Sequence, residues 1–288
     1  MTPDGVSPDP SSTSGSCPLP SCAAVSLHRT EKFRSICASR KDHSVPQEPT
    51  QNAGPSRERV DRMFDRIAHR YDLLNRLLSF GRDIAWRKRM ARHLPAHKSL
   101  NILDLATGTA DVLLFLHSQE PRVARGVGVD PSAGMLHFGK RKIQKAGLDT
   151  RFRLVRGDGQ ALPLPRDTFD AVTIAFGIRN VADVARGLRE MHRILRPGGR
   201  ALILEFSLPG NALVRWGYLF YFRHVLPRIG GLISGDFYAY RYLNATVETF
   251  PYGDAFAALM REAGFQDVEA HRLSFGIATL YQGDKPSA

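Results

Sequence analysis

The stretch ILDLATGTAD, Ile102–Asp111, decides the fold when it is taken together with GVGVD, Gly126–Asp130. A short apolar run enters a small-residue turn, and a second apolar run ends in a carboxylate. This order predicts a β-strand, a tight turn onto a helix, and a second strand whose terminal Asp130 reaches the same crevice. Such a crevice suits a nucleoside, because backbone N–H groups approach the ligand at the turn and the carboxylate accepts hydrogen bonds from both ribose hydroxyls.

The composition of the turn indicates which nucleoside. Asp104 precedes a single Gly108, which is followed by Thr109, Ala110 and Asp111. Dinucleotide folds prefer G-x-G-x-x-G, which places a pyrophosphate at a helix N-terminus. A turn flanked by acids suits a cationic ligand better, and S-adenosylmethionine carries a sulfonium and an ammonium group. A β-turn-α unit without ligand remains the alternative for either half of the motif alone.

Strands and helices alternate through the middle of the chain, which predicts a parallel sheet with helices on both faces. The predicted strands are Asn101–Leu105, Arg125–Val129, Phe152–Arg156, Phe169–Ala175 and Ala201–Phe206. The predicted helices are Val112–Ser118, Ala133–Lys145, Val184–Leu195 (stopped by Pro197-Gly198-Gly199) and Asp254–Ala263. Two last strands, Asp267–Leu273 and Gly276–Tyr281, are too close for a crossover helix and should form an antiparallel hairpin at one sheet edge. This α/β pattern resembles the seven-stranded, Rossmann-like class I methyltransferase fold.

Two further segments surround this pattern. Val60–Leu78 has apolar residues at helical spacing and predicts an amphipathic entry helix, followed by a second helix over Ile84–His93. An insertion between Ser207 and Phe250 carries nine aromatic residues. An insertion at the carboxyl edge of a sheet is where a substrate lid belongs, and its aromatics predict an apolar pocket for a large, flat substrate. Core packing is the alternative for many of them.

Residues 1–55 differ from the rest of the chain. They are rich in Ser and Pro, show no apolar period and hold all three cysteines, whose spacing does not match a zinc site. We predict a disordered extension here and one methyltransferase domain over residues 56–288. Organelle targeting and a start codon placed too far upstream are left open.

The charge lies on the predicted domain. Five basic residues offset five acids in the extension, so the formal net charge of +12 falls on residues 56–288. The sequence has no run of 18 or more apolar residues, which argues against a membrane span. The absence of cysteine from the domain suits a reducing, cytoplasmic compartment. A basic surface suits nucleic acid or an anionic membrane.

Four patterns resemble the ubiquinone/menaquinone biosynthesis C-methyltransferases. They occur in the expected order and span about residues 58–284; they are YDLLNRLLSFGRDIAW (Tyr71–Trp86), FGIRNV (Phe176–Val181), RILRPGGRALILEFS (Arg193–Ser207) and YRYL…FP (Tyr240–Leu243, Phe250-Pro251). The chain departs from the family pattern at Asp83, where the signature has His, and at Ala110, where a second Gly is usual. FPYGDAF, Phe250–Phe256, favours the menaquinone branch over the ubiquinone branch.

The resemblance implies the cofactor S-adenosylmethionine. It implies that Thr109 contacts the methionine part, Asp130 the ribose, and Asp158 with Gly159 the adenine edge. Gly108 belongs to the same predicted site. Asp104 is counted with it as well, although it is also interpreted as orienting the turn through backbone amides. A turn-capping role is equally compatible with Asp158.

The resemblance also implies methyl transfer to a ring carbon of a polyprenyl quinol. Carbon becomes nucleophilic when a ring hydroxyl is deprotonated, so the site needs a base or a group that favours phenolate. Arg179 is the candidate for that role, Asn180 for orienting the quinol, and Tyr240 and Tyr242 for holding the ring. His224 is a weaker candidate for the base.

Several alternatives remain open. A benzoquinol of the ubiquinone pathway is the nearest, and a nucleic-acid methyltransferase is disfavoured because N/D-P-P-Y/F/W and a cysteine nucleophile are absent from the domain. A non-catalytic scaffold in a quinone-biosynthesis assembly is a third. We expect peripheral association with membranes through Leu213–Leu226, where Trp216, Phe220 and Phe222 lie between Arg215 and Arg223. The oligomeric state stays open, including a homo-oligomer.

Overall fold

A seven-stranded sheet forms the centre of the domain. The computed structural model describes residues 57–287, so the predicted extension over residues 1–55 lies outside the described residues. The strand order is β3-β2-β1-β4-β5-β7-β6. The strands are β1 Leu100–Leu105, β2 Val123–Asp130, β3 Phe152–Arg156, β4 Phe169–Ala175, β5 Leu195–Phe206, β6 Gln266–Leu273 and β7 Ala278–Asp284. The first five are parallel, and β7 is antiparallel to both β5 and β6. The predicted class of fold is confirmed.

Helices cover both faces of the sheet, as its buried strands require. The helices are α1 Arg57–Ile67, α2 Tyr71–Leu78, α3 Arg82–Arg92, α4 Asp111–Gln119, α5 Ala133–Lys145, α6 Val184–Ile194, α7 Ala212–Phe220, α8 Leu226–Ser234, α9 Phe237–Thr249 and α10 Asp254–Glu262. Four of them follow an N-cap residue whose side chain accepts a hydrogen bond from a backbone N–H of the first turn. These caps are Ser132, Asp183, Asn211 and Asp236.

Two predicted boundaries differ from the structure. The entry helix is divided, because a 3₁₀ turn at Ala68–Arg70 separates α1 from α2. Such a turn has three residues per turn and therefore shifts the apolar face. The helix before Pro197-Gly198-Gly199 ends at Ile194, within one residue of its predicted end. The strand after it, predicted to begin at Ala201, begins at Leu195 and runs through these three residues. The pairing with β4 shifts register there, which accommodates the proline and Gly198 at φ 75°.

The insertion forms a third layer with the entry helices. Helices α7, α8 and α9 enclose a core of their own with α1 and α2, built around Met63, Leu74, Phe222, Tyr240 and Val247. Between α7 and α8 a π-helical turn covers Tyr221–Val225. No helix in the described range 57–287 is both long and apolar enough to cross a bilayer.

Candidate active site

A crevice opens where β1, β2 and β4 end together. Register pairs Leu105 with both Val129 and Ile174, so the following residues meet at one edge of the sheet. Two of these, Ala106 and Phe176, adopt φ of 48° and 56°. Residues with a Cβ rarely adopt this conformation, and such strain concentrates at functional sites. A Cβ on Gly177 would lie 2.5 Å from the Cβ of Ala106, so only glycine fits between these turns.

Asp130 lies in the crevice with its carboxylate fixed. Gly108 donates its backbone N–H to Oδ2 at 2.8 Å, and Ser132 donates its own to Oδ1 at 2.9 Å. The residue is 7% exposed, and burial raises the pKa of Asp130 to about 6. A carboxylate has about four acceptor positions, so two remain for a ligand's hydroxyl groups.

Asp158 and Gly159 line the same crevice from the loop after β3. Asp158 Oδ1 accepts the backbone N–H of Gln160 at 3.0 Å, which is the turn-capping geometry considered above. The side-chain Nε2 of Gln160 also donates to this carboxylate, at 3.2 Å from Oδ1 and 3.3 Å from Oδ2. A Cβ built on Gly159 would have Leu105 as its nearest neighbour, at 3.9 Å, so the glycine faces open space into which a flat ring fits.

The lining of the crevice fits a cationic nucleoside. Three acids line it, Asp61, Asp130 and Asp158, and no Lys, Arg or His does so among the described residues. A pyrophosphate would meet repulsion in such a site, whereas a sulfonium and an ammonium group are attracted. Apolar side chains such as Ile178 and Val181 supply the flanking walls. The donor set therefore agrees with S-adenosylmethionine.

Two predicted cofactor residues lie beside the crevice rather than in its lining. Thr109 is 2% exposed, and its hydroxyl donates to Asp72 Oδ1 at 2.5 Å and accepts from Lys142 Nζ at 3.0 Å. Asp104 is 1% exposed and accepts the hydroxyl of Thr173 at 2.6 Å. Burial raises the pKa of Asp104 to about 7. Both side chains thus connect β1 and its turn to neighbouring elements.

A second cavity, of about 620 Å³, lies between the entry helices and the insertion. Its walls are mostly apolar and aromatic, as predicted for the insertion. Phe64, Tyr71 and Phe176 line both this apolar cavity and the crevice, so the two meet there. From the sequence, Tyr71 is predicted only as part of the apolar face of the entry helix. A tyrosine inside an otherwise apolar helix face is the signal that could have identified it.

Arg179 lies in the wall of the apolar cavity as half of a buried ion pair. Its Nη1 is 2.7 Å from Glu205 Oε1, with the two side chains 7% and 1% exposed. The same nitrogen donates to the carbonyl of Phe176 at 2.6 Å. Glu205 was not predicted, although a carboxylate next to the end of the buried strand β5 was a usable signal. Since Glu205 offsets its charge, Arg179 acts as an oriented donor more than as a free cation.

The remaining candidates divide between the two cavities. Asn180 lines the crevice and Tyr242 lines the apolar cavity, and the Tyr242 hydroxyl donates to Asn180 Oδ1 at 3.0 Å. Tyr240 also lines the apolar cavity, with its ring packed on Gly230 of α8. His224 is exposed and lines neither cavity, so the structure does not support it as the base.

The sheet order, the acid-lined crevice at its carboxyl edge and the adjoining cavity are together those of class I S-adenosylmethionine-dependent methyltransferases. The chain belongs to the ubiE/COQ5 methyltransferase family, whose sequence profile matches residues 52–285.

Curated relatives agree with this assignment. The chain is 49% identical over 228 residues to the ubiquinone/menaquinone biosynthesis C-methyltransferase UbiE of Geobacter sulfurreducens, covering 79% of this chain and 89% of that protein. It is 49% identical over 224 residues to the demethylmenaquinone methyltransferase of Thermus thermophilus, covering 78% of this chain and 100% of that protein. A solved SAM-dependent methyltransferase from Thermotoga maritima shares the fold, at 18% identity and a TM-score of 0.54, with 78% and 98% of the two chains covered.

Proposed function

We propose that this chain methylates a ring carbon of a polyprenylated quinol in menaquinone biosynthesis, converting demethylmenaquinol to menaquinol. The observation that carries the proposal is the apolar cavity of about 620 Å³, which shares the lining residues Phe64, Tyr71 and Phe176 with the crevice proposed for the cofactor. A flat ring at that junction has its prenyl chain among aromatic side chains and its edge toward the cofactor. The 49% identical Thermus thermophilus relative carries the name demethylmenaquinone methyltransferase.

The cofactor-binding part of the proposal assigns each residue a contact. Asp130 accepts the ribose hydroxyls, Asp158 accepts from the adenine amino group, and Gly108 and Gly159 leave room for close approach. S-adenosylmethionine, when bound, supplies an electrophilic methyl group. Thr109 and Asp104 stabilise the turn through hydrogen bonds to Asp72 and Thr173, respectively.

The substrate part of the proposal depends on Arg179. Its Nε is buried and has no hydrogen-bond partner among the described residues, and we assign this donor to an oxygen of the quinol. Such a bond becomes stronger as the quinol hydroxyl loses its proton, which favours phenolate and places electron density on the neighbouring ring carbon. Asn180 and Tyr242 hold each other across the junction and limit where the ring can lie.

The test is methyl transfer by the full-length protein from labelled S-adenosylmethionine. Demethylmenaquinol and the benzoquinol precursor of the ubiquinone pathway are offered separately, and the products are identified by mass. We expect demethylmenaquinol to be methylated with the higher kcat/KM. A preference for the benzoquinol would assign the ubiquinone-pathway reaction instead. Methylation of neither quinol, with cofactor binding intact, would contradict the proposal.

We also propose that the chain meets its substrate at a membrane surface. A polyprenyl quinol is almost insoluble in water, so it must be taken from a bilayer. On α7, Val214 and Gly217 line the apolar cavity, while Leu213, Trp216 and Phe220 are 77%, 69% and 52% exposed. One helix thus borders the cavity and presents apolar side chains outward, the arrangement of an interfacial helix.

Two details of the predicted membrane surface change. Phe222 is 3% exposed and packs on Tyr218 with ring centroids 4.9 Å apart, so the prediction that it faces the membrane was wrong. Arg223 pairs with Glu248 and therefore adds little net charge. At the mouth of the cavity the structure adds Phe80 and Phe275, which are 78% and 83% exposed and line the cavity as well.

A further inference from the structure

A buried ion pair in the wall of the apolar cavity is not used by the proposed function. Asp83 and Arg87 are one turn apart on α3, and Arg87 Nη1 lies 2.7 Å from Asp83 Oδ2 and 3.5 Å from Asp111 Oδ2. The residues are 3% and 6% exposed, and both line the cavity. Position 83 is also where this chain departs from the histidine of the family signature, so that signature does not account for the pair.

A pair of this kind is not expected in an apolar wall for stability alone. Removing two charges from water is unfavourable, and the attraction between them compensates only when their other hydrogen-bonding groups are satisfied. That condition is not met, because Arg87 Nε is buried and has no partner among the described residues. One buried donor of this cavity-lining residue therefore has no acceptor.

The position of Arg87 indicates what that acceptor is. Tyr71 lies where the cavity and the crevice adjoin, and Arg179 and Arg87 line the same cavity as Tyr71. A quinol ring carries two oxygens on opposite carbons, and the proposed function gives only one of them a partner, Arg179.

We infer that Arg87, held in place by Asp83, donates a hydrogen bond to the second ring oxygen of the quinol. The inference rests on the proposed function and adds how the substrate is recognised: a ring with two opposite oxygens is bound between two buried arginines. Arg87 is then a substrate-binding residue and Asp83 a positioning residue. A ring with one hydroxyl would leave Arg87 Nε without an acceptor and bind less well.

The first test compares two substrates in full-length variants. Demethylmenaquinol is set against an analogue in which the distal hydroxyl is replaced by hydrogen. The variant is Asp83→Asn with Arg87→Met, because Arg87→Met alone would leave a buried charge unpaired. Arg76→Met is the matched control, since Arg76 Nε lies 3.7 Å from Asp83 but its side chain is 45% exposed and it does not line the cavity.

We expect the wild type and the Arg76→Met variant to prefer the two-oxygen substrate by about tenfold or more in kcat/KM, the effect of a hydrogen bond to a charged donor. The double variant should lose most of this preference through a higher KM for the quinol, with S-adenosylmethionine affinity unchanged. Asp83→Asn alone should reduce the preference in part, by leaving Arg87 less well held. A double variant that keeps the preference would overturn the inference.

The second test is a binding measurement that needs no turnover. The sequence has two tryptophans, and Trp86 lines the cavity while Trp216 is 69% exposed. In a Trp216→Phe background, quenching of Trp86 by a short-chain naphthoquinone reports occupancy of the cavity. We expect the Kd to rise about tenfold in the double variant and in Arg87→Lys, which keeps a cation but has no Nε–H. It should not change in Arg76→Met.

These outcomes separate the two proposals. If the wild type methylates neither quinol, the proposed function fails, whereas the inference fails if quinols are methylated and all variants bind the naphthoquinone alike. Arg87→Lys keeps the test decisive should the double variant not fold, because it retains the charge beside Asp83.

Discussion

At the scale of single residues, the role proposed for Asp130 can be tested directly. Replacing Asp130 with Ala should weaken S-adenosylmethionine binding by roughly 2–4 kcal/mol, because the proposal has this buried carboxylate accept hydrogen bonds from both ribose hydroxyls. Calorimetry at pH 8 measures this, with the exposed Asp149→Ala as a control for the lost charge. Near-normal affinity would remove Asp130 from the site.

The same carboxylate predicts how binding depends on pH. Burial raises the pKa of Asp130 to about 6, so below that pH the group is protonated and loses its charge and part of its acceptor capacity. The affinity for S-adenosylmethionine should therefore fall as the pH drops from 7 to 5. Asp130→Asn should bind weakly with little pH dependence over the same range. If wild-type affinity is flat across it, another group holds the ribose.

Asp104 predicts a pH dependence of stability. Its pKa is 3.8 in the unfolded chain and about 7 in the fold, because the side chain is buried. The folded state holds its proton more tightly, so the stability from this group is fully present below pH 3.8 and lost as the pH rises through 7. Asp104→Asn keeps an acceptor for Thr173 and should remove this loss, on the order of a few kcal/mol.

Urea unfolding of wild type and Asp104→Asn at pH 5 and pH 8 measures this difference. We expect the variant to gain stability relative to wild type between the two pH values. An equal change in both proteins would mean that Asp104 ionises as readily in the fold as in the unfolded chain.

At the scale of elements, we expect Ala substitutions at two helical glycines of the insertion to change stability in opposite directions. A Cβ on Gly230 of α8 would lie 2.5 Å from the ring of Tyr240, whereas one on Gly217 of α7 would have no neighbour within 4 Å. Gly230→Ala should destabilise by about 1–3 kcal/mol through overpacking. Gly217→Ala should stabilise by about 0.5–1 kcal/mol through the lower entropy of the unfolded chain.

Thermal or urea unfolding of the two variants checks this pair. Because both glycines lie in helices of one insertion, differences in helix propensity cancel. Equal effects would show that Tyr240 moves aside freely and that α8 is not held against it.

The helices and strands were largely predictable from the periodicity of their apolar residues and from the turn residues between them. Strand β4, FDAVTIA, is buried at six of its seven positions and could only be a central strand. The hairpin of β6 and β7 followed from the shortness of its connection. The division between α1 and α2 was not predictable, because the apolar period continues through the 3₁₀ turn at Ala68–Arg70. Nor was the passage of β5 through Pro197, which depends on pairing with β4.

At the scale of the whole molecule, the sequence predicted the crevice better than the cavity. Asp130 ends β2, and Asp158 with Gly159 follows the neighbouring strand β3, so the topology alone brings them together. The apolar cavity is formed by helices that are distant in sequence. The positions of its polar side chains depend on the ion pairs that they form. That Arg179 is paired with Glu205, and Arg87 with Asp83, depends on three-dimensional contacts that a motif does not record.

The last prediction concerns the membrane and the whole surface of the domain. Trp216 and Phe220 stack with centroids 6.0 Å apart on the exposed side of α7, beside the mouth of the cavity. A formal charge of +12 attracts the chain to anionic lipid, and the aromatics then enter the interface. Full-length protein should co-sediment with phosphatidylcholine vesicles that contain phosphatidylglycerol, and less so at high salt because charge is screened.

Replacing both aromatics should separate the two contributions. Trp216→Ala with Phe220→Ala should reduce binding on the order of tenfold, since each ring loses part of the roughly 1.5–3 kcal/mol that full burial of a Phe side chain provides. Val155→Ser is the control, because Val155 is 37% exposed on β3 and does not border the cavity. Equal binding to neutral vesicles would exclude the electrostatic step. Unchanged binding of the double variant would place the membrane contact elsewhere, with Phe80 and Phe275 at the cavity mouth as the next pair to replace.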